Sequence, residues 1–139
     1  MSRLSIIRRD QNGAAAIEFA IAVPILVTLI WGIFQLACLF WANAGMQNAL
    51  GAGARLATLC QGGTSTTQCA VPSATAVYNS MDAAKFGPTD GTMTVVMPTP
   101  TAGSGFMDLE VTYSRTMNFL FFTGPTINLD RKKRVYTVS

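Results

Sequence analysis

An uncharged stretch from Phe19 to Ala54, 36 residues long, constrains this chain more than any other feature. Its most apolar part ends at Trp41, and a helix needs about 20 apolar residues to cross a bilayer. A cleaved secretory signal is the nearest alternative, but its apolar region runs to only about 7–15 residues. Bulky Leu39, Phe40 and Trp41 also stand where such a signal would be cut. The stretch therefore predicts a transmembrane helix.

The distribution of charge around this span predicts its orientation. Arg3, Arg8 and Arg9 precede it, and the next basic residue is Arg55. By the positive-inside rule, the N-terminus lies in the cytoplasm and the remainder of the chain lies outside. Trp41 is then expected as an interfacial anchor where the helix leaves the lipid.

The start of the apolar segment carries one acid. Glu18 stands five residues after Gly13, followed by Phe19. A carboxylate in a membrane helix costs roughly 2.5–3.5 kcal/mol at the helix centre, so it is by default a functional candidate. The alternative is a carboxylate that is merely favoured by the helix dipole in the first turns.

The sequence GAAAIEF, beginning at Gly13, resembles the cleavage motif of type IV prepilins and pseudopilins. Together with Pro24 and the small-residue segment 51–57, it most resembles TadE-like minor pilins of tight-adherence (Flp) pili. The resemblance implies that a prepilin peptidase cuts between Gly13 and Ala14. It also implies that Glu18 pairs with the freed Ala14 amine of a subunit in the filament. Phe19, where fibre-forming Flp pilins carry tyrosine, favours a minor component.

The chain divides into three predicted segments. Residues 1–13 form a basic cytoplasmic leader, 14–59 a long transmembrane and stalk helix, and 60–139 a small extracytoplasmic α+β domain. Small residues recur along one face of the upper stalk, namely Gly45, Ala49 and Gly53. They indicate either close approach of another helix or a flexible exit from the membrane.

The outer domain is predicted as one helix against an antiparallel sheet. Ser73 is the expected N-cap of a helix that extends to about Phe86. Alternation predicts strands over 92–97 and, most clearly, 107–114; segments 126–129 and 135–138 are expected to form a second hairpin. Cys60 and Cys69 are expected to form a disulfide if this domain faces an oxidising space. Cys38 is expected as a packing residue in the helix.

Two surface features are candidates for contacts. The apolar run Phe119–Phe122 more often belongs to a core or an edge strand than to a binding patch. The basic run Arg131–Arg134 is expected in the turn of the second hairpin. It is either simply solvated or a contact for anionic lipid, surface polysaccharide or an acidic partner.

Catalytic and cofactor chemistry is not expected. The chain has no histidine, which excludes histidine-ligated metals and histidine-based nucleophile pairs. Asp108 and Glu110 share one face of a strand, but that face is expected to be solvated. Of the ten basic residues, most lie in two clusters near the ends, which does not fit a nucleic-acid surface.

The sequence thus predicts a non-enzymatic, structural protein without metal or cofactor. The resemblance implies as partners the membrane, a prepilin peptidase, other pilins and the Tad assembly platform, with homo- or hetero-oligomers formed through the N-terminal helix. It places the protein in the bacterial inner membrane, with the head in the periplasm, or in an extracellular pilus. The alternative is an uncleaved single-pass anchor whose outer domain binds a ligand or scaffolds a secretion complex.

Overall fold

The computed structural model describes residues 11–59, 72–100, 105–119 and 121–137. It contains five elements in chain order, which confirm the predicted α+β fold. They are α1 (Gln11–Thr58), α2 (Ala74–Ala84), β1 (Thr92–Pro100), β2 (Phe106–Asn118) and β3 (Thr123–Tyr136). The leader up to residue 10 and the segment with Cys60 and Cys69 lie outside the described residues, so the predicted disulfide does too.

Helix α1 is a single helix of 48 residues, which is about 70 Å long at 1.5 Å per residue. It continues through Pro24, whose ring removes one backbone donor. The Thr28 hydroxyl in the next turn donates to the carbonyl oxygens of Pro24 and Ile25 at 3.0 and 2.8 Å. The small domain packs against the C-terminal half of this helix, which we call its upper half; the N-terminal half is its lower half.

Helix α2 begins as predicted, because the Ser73 hydroxyl accepts a hydrogen bond from the Ala76 amide at 3.2 Å. Val77 and Met81 form its buried stripe. It ends at Ala84 rather than near Phe86, since Lys85 already has an extended backbone. The chain turns there to bring the Phe86 backbone against α1.

The three strands form an antiparallel sheet in the order β1-β2-β3. The alternation predicted over 107–114 is confirmed, with Met107, Leu109, Val111 and Tyr113 all buried. Strand β2 nevertheless continues to Asn118. Both helices cover the face of the sheet to which these buried residues point.

The predicted second hairpin is wrong, because Thr123–Tyr136 is one strand paired with β2 along its length. The basic run 131–134 therefore lies within a strand and not in a turn. Lys132 and Arg134 face Glu110 and Asp108 across the ladder. Cross-strand pairs of opposite charge stabilise a sheet, which explains how a run of four cations remains extended.

The core of the small domain includes the upper part of α1. Five buried residues come from that helix: Ala42, Met46, Ala49, Leu50 and Ala57. They pack with α2 and the inner face of the sheet. The stalk and the outer domain, predicted as separate segments, thus share one hydrophobic core above residue 42.

Candidate assembly and membrane-contact site

The lower part of α1 presents apolar side chains that the rest of the described chain leaves uncovered. Exposed fractions are 65% for Ile17, 70% for Phe19 and 62% for Ile25. The helix from Gly13 to Thr58 contains an 18-residue window of mean hydropathy 2.3, and none of that window is buried. A core helix of a soluble protein would be covered by its own chain. This segment instead needs lipid or other apolar helices around it.

The residues of the predicted processing and assembly site lie together on this uncovered segment. Gly13, Ala14, Glu18 and Phe19 occupy the first turns of α1 and are all exposed. Within the described residues no ion pair involves Glu18. Its carboxylate is therefore available to a group from outside the described chain.

The small residues of the upper stalk lie against the head of the same chain. Gly45 contacts the Phe86 backbone so closely that a Cβ atom there would overlap the Phe86 carbonyl. Gly53 lies against the side chains of Met81 and Leu109, and Ala49 is fully buried. The close approach thus occurs within one molecule. The small residues of α1 lie against α2, the segment that follows α2, and β2.

Strand β2 runs down α1 toward the apolar segment. Leu109 lies beside Gly53, whereas Asn118 lies beside Gln35. From Leu109 to Asn118 the strand advances about 30 Å, and from Gly53 back to Gln35 the helix spans about 27 Å. The strand and the helix therefore run in opposite directions and lie nearly side by side. The sheet therefore extends along the helix toward the N-terminal end of the chain.

Two side chains of α1 hold the lower end of β2. The Trp31 indole Nε1 and the Gln35 amide Nε2 both donate to the backbone carbonyl oxygen of Asn118, each at 2.8 Å. Gln35 is 3% exposed. The sequence does not predict this contact: its local signal is a single glutamine within an apolar stretch of the helix.

Phe119, Phe121 and Phe122 lie between β2 and β3 at this lower end. The rings of Phe119 and Phe122 stack with centroids 4.8 Å apart, and the Phe119 amide donates to the Phe122 carbonyl at 2.9 Å. Phe121 is 74% exposed and Phe122 62% exposed. The expectation that this run is core or edge strand is wrong for these two residues. We call Phe119, Phe121 and Phe122 the aromatic turn.

A buried cation lies between the sheet and α1. The Arg115 side chain is 3% exposed and forms an ion pair with Asp90, whose side chain is 56% exposed. Cys38 of α1, the one free cysteine of the described residues, lies beside the guanidinium. Among the described residues, Asp90 is the one carboxylate that pairs with this guanidinium. Nε and Nη1 of Arg115 have no hydrogen-bond partner there.

We expect Asp90→Asn to lower the free energy of unfolding of the head by about 2 kcal/mol, because it leaves a buried guanidinium without a countercharge. The measurement is urea unfolding of the full chain in detergent micelles. Asp130→Asn is the matched control, since Asp130 is 51% exposed and lies 3.7 Å from an exposed lysine. That change is expected to cost less than about 0.5 kcal/mol. Equal losses in the two variants would contradict the importance of the Arg115 pair.

The two acids on the open face of the sheet are held by cations. Asp108 accepts hydrogen bonds from Arg134 at 2.8 and 3.0 Å, and Lys132 lies 3.1 Å from Glu110. The hydrogen bond from Arg134 lowers the pKa of Asp108, so this pairing is lost only as the pH falls through that lowered value. A carboxylate stabilised in its charged form is a poor general acid or base near neutral pH. Among the described residues there is no cluster of metal-ligating side chains.

The fold and this site define a class of protein: one candidate membrane helix near the N-terminus, continuous with a small α+β head. Residues 13–55 match the family model described as TadE-like protein, which confirms the resemblance predicted from Gly13–Phe19, Pro24 and the small-residue segment. The match supports a protein associated with the Tad pilus system, and the candidate membrane helix near the N-terminus fits a single-pass membrane protein. No significant match is found among curated proteins or solved structures.

Proposed function

We propose that this protein is a minor pilin (pseudopilin) of a tight-adherence pilus, a structural subunit that supports pilus biogenesis and surface adhesion without catalysing a reaction. The observation that carries the proposal is the uncovered lower part of α1. There the TadE-like match, Gly13–Ala14 and the exposed Glu18 coincide on a helix that the head leaves free. Such a helix is suited to lie in lipid first and against similar helices afterwards.

In this function a prepilin peptidase removes residues 1–13 on the cytoplasmic side. The cut frees the Ala14 amine and discards Arg3, Arg8 and Arg9, which oppose movement out of the cytoplasm. Glu18 then pairs with the Ala14 amine of a neighbouring subunit. Two opposite charges in contact cost less to hold in lipid than either charge alone. Other pilins and the Tad assembly platform are the partners, and the head lies in the periplasm before assembly.

The first test of this proposal is the native N-terminus. Mass spectrometry of the chain purified from its own membranes is expected to show Ala14 as the first residue. Gly13→Val is expected to retain the leader, because a branched side chain at the scissile bond obstructs the peptidase. Gly32→Val is the matched control: Gly32 lies in the same helix with no atom within 4 Å of its missing Cβ, so cleavage should be normal. A native chain that keeps Arg8 and Arg9 would instead support an uncleaved anchor.

The second test concerns Glu18. We expect Glu18→Ala to insert in the membrane normally but to be reduced at least about tenfold in sheared pili, since an unpaired charge in lipid costs about 2.5–3.5 kcal/mol. Immunoblots of membrane and sheared fractions provide the measurement. Thr28→Ala is the control, because the hydrogen bonds of the Thr28 hydroxyl within the described residues stay in its own helix. Normal incorporation of Glu18→Ala would refute the proposed charge pair.

A further inference from the structure

We propose that the aromatic turn inserts into the outer interface of the same bilayer that α1 crosses. The head would then contact the membrane at two points, the helix itself and the β2–β3 connection beside it. The partner is the phospholipid boundary between headgroups and acyl chains. The inference needs α1 to span the membrane and is independent of cleavage and of pilus assembly.

The position of the turn along α1 is the first argument. The hydrogen bonds from Trp31 and Gln35 to the Asn118 carbonyl hold the turn at the level of Trp31. From Gly13 to Trp31 the helix rises about 27 Å, and to Phe34 about 32 Å. A bilayer hydrocarbon core is about 30 Å thick. A helical segment that begins at Gly13 thus fills the thickness of the hydrocarbon core at the level where the aromatic turn begins. Leu36, Phe40 and Trp41 are also exposed above that level, where they would face the headgroup region.

The charges above the turn give the same boundary. If the hydrocarbon extended to Trp41, as the sequence alone predicts, it would include the level of Cys38. Asp90, with a half-exposed side chain, pairs with Arg115 at that level. An exposed carboxylate in hydrocarbon is strongly unfavourable. The boundary therefore lies nearer to Trp31.

The chemistry of the turn fits an interface. Phe121 and Phe122 are uncovered, and no charged residue occurs from Thr116 to Leu129. The backbone bond between Phe119 and Phe122 satisfies two polar groups inside the chain, which lowers the cost of contact with lipid. Phenylalanine rings carry no polar group that would have to be desolvated, and exposed Phe side chains bury at the boundary between headgroups and acyl chains.

The basic run 131–134 is not the lipid contact. Strand β3 leads away from the turn, so Arg131 lies about 26 Å beyond Thr123 along the strand. That exceeds the distance of about 8–10 Å over which exposed charges act at physiological salt. Lys132 and Arg134 are in addition paired with Glu110 and Asp108.

The test compares two equally exposed aromatic positions at opposite ends of β3. Phe121 is 74% exposed and Tyr136 73% exposed. Phe121→Trp and Tyr136→Trp are each introduced into the full chain carrying Trp31→Phe and Trp41→Phe; Gln35 still holds Asn118. The proteins are reconstituted into phosphatidylethanolamine–phosphatidylglycerol vesicles whose acyl chains are brominated near the glycerol end. We expect bromine to quench the indole fluorescence at position 121. The iodide quenching constant is expected to be lower at position 121 than at position 136 by roughly threefold or more.

The outcomes separate lipid from protein contact. Equal iodide quenching at both positions would overturn the proposal. So would shielding from iodide at position 121 without bromine quenching, because it would indicate that a second copy of this chain covers the turn. Hydroxyl-radical footprinting of the unaltered chain in nanodiscs tests the same point if the substituted chains misfold. After normalisation to the urea-unfolded chain, Phe121 should be several-fold less oxidised than Tyr136, and equal oxidation would refute the insertion.

Discussion

Gly45→Ala is expected to lower the free energy of unfolding of the head by about 3 kcal/mol, the upper end of the usual range for overpacking. The new methyl group would overlap the backbone carbonyl of Phe86. A backbone atom cannot move aside like the end of a flexible side chain, so the segment after α2 must shift as a whole. The helix would be strengthened by the loss of a glycine, but by only about 0.5–1 kcal/mol.

Gly51→Ala is the matched control in the same helix. No atom lies within 4 Å of a Cβ built at Gly51. Only the helix-propensity effect remains there, so this variant should be more stable than the parent by about 0.5–1 kcal/mol. Urea unfolding of both full-length variants in detergent micelles, followed by pulse proteolysis of the head, measures the difference. Similar gains at both positions would show that the head is not seated on Gly45.

Local patterns in the sequence account for the elements that were predicted correctly. The uncharged apolar stretch indicated α1, alternation over 107–114 indicated β2, and Ser73 marked the start of α2. Each of these signals involves residues within a few positions of one another. Periodicity and capping arise from local backbone geometry, and such signals can therefore be read without knowing the fold.

Contacts between distant parts of the chain explain what was missed. Trp31 and Gln35 meet Asn118 from 87 and 83 residues away, and nothing near any of them in sequence indicates the others. The sequence predicts a turn for the basic run of β3 because a run of cations is usually solvated. Asp108 and Glu110 are two residues apart, as are Lys132 and Arg134. This matching spacing is the signal in the sequence for a ladder of cross-strand ion pairs.

These long-range contacts also change where the membrane boundary is expected. Trp41 alone indicates an exit near residue 41, whereas the sheet reaches the helix at Trp31. Since α1 contributes to the core above residue 42, the head cannot swing freely on the stalk. In the function proposed above, this fixed connection would transmit the orientation of the apolar helix to the head.

Tyr113 provides the other large expected effect, because it is the largest fully buried side chain of the core. Tyr113→Ala should lower the free energy of unfolding by about 3–5 kcal/mol, which is typical of removing a buried aromatic ring. Tyr113→Phe is the matched control and should cost little or even stabilise, since the hydroxyl has no hydrogen-bond partner among the described residues. Urea unfolding in micelles measures both variants, and a loss above about 2 kcal/mol in Tyr113→Phe would mean that the hydroxyl is bonded after all.

The parent and Tyr113→Phe are expected to differ in their response to alkaline pH. Burial raises the pKa of Tyr113; the nearby Arg115 guanidinium lowers it and the Asp90 carboxylate raises it. Because the folded state holds this proton more tightly than the unfolded state, the associated stability is complete below the ordinary tyrosine pKa of about 10. It is lost as the pH rises through the higher, folded value. The parent should therefore lose stability relative to Tyr113→Phe above about pH 10, and parallel stability curves across that range would contradict burial of the phenol.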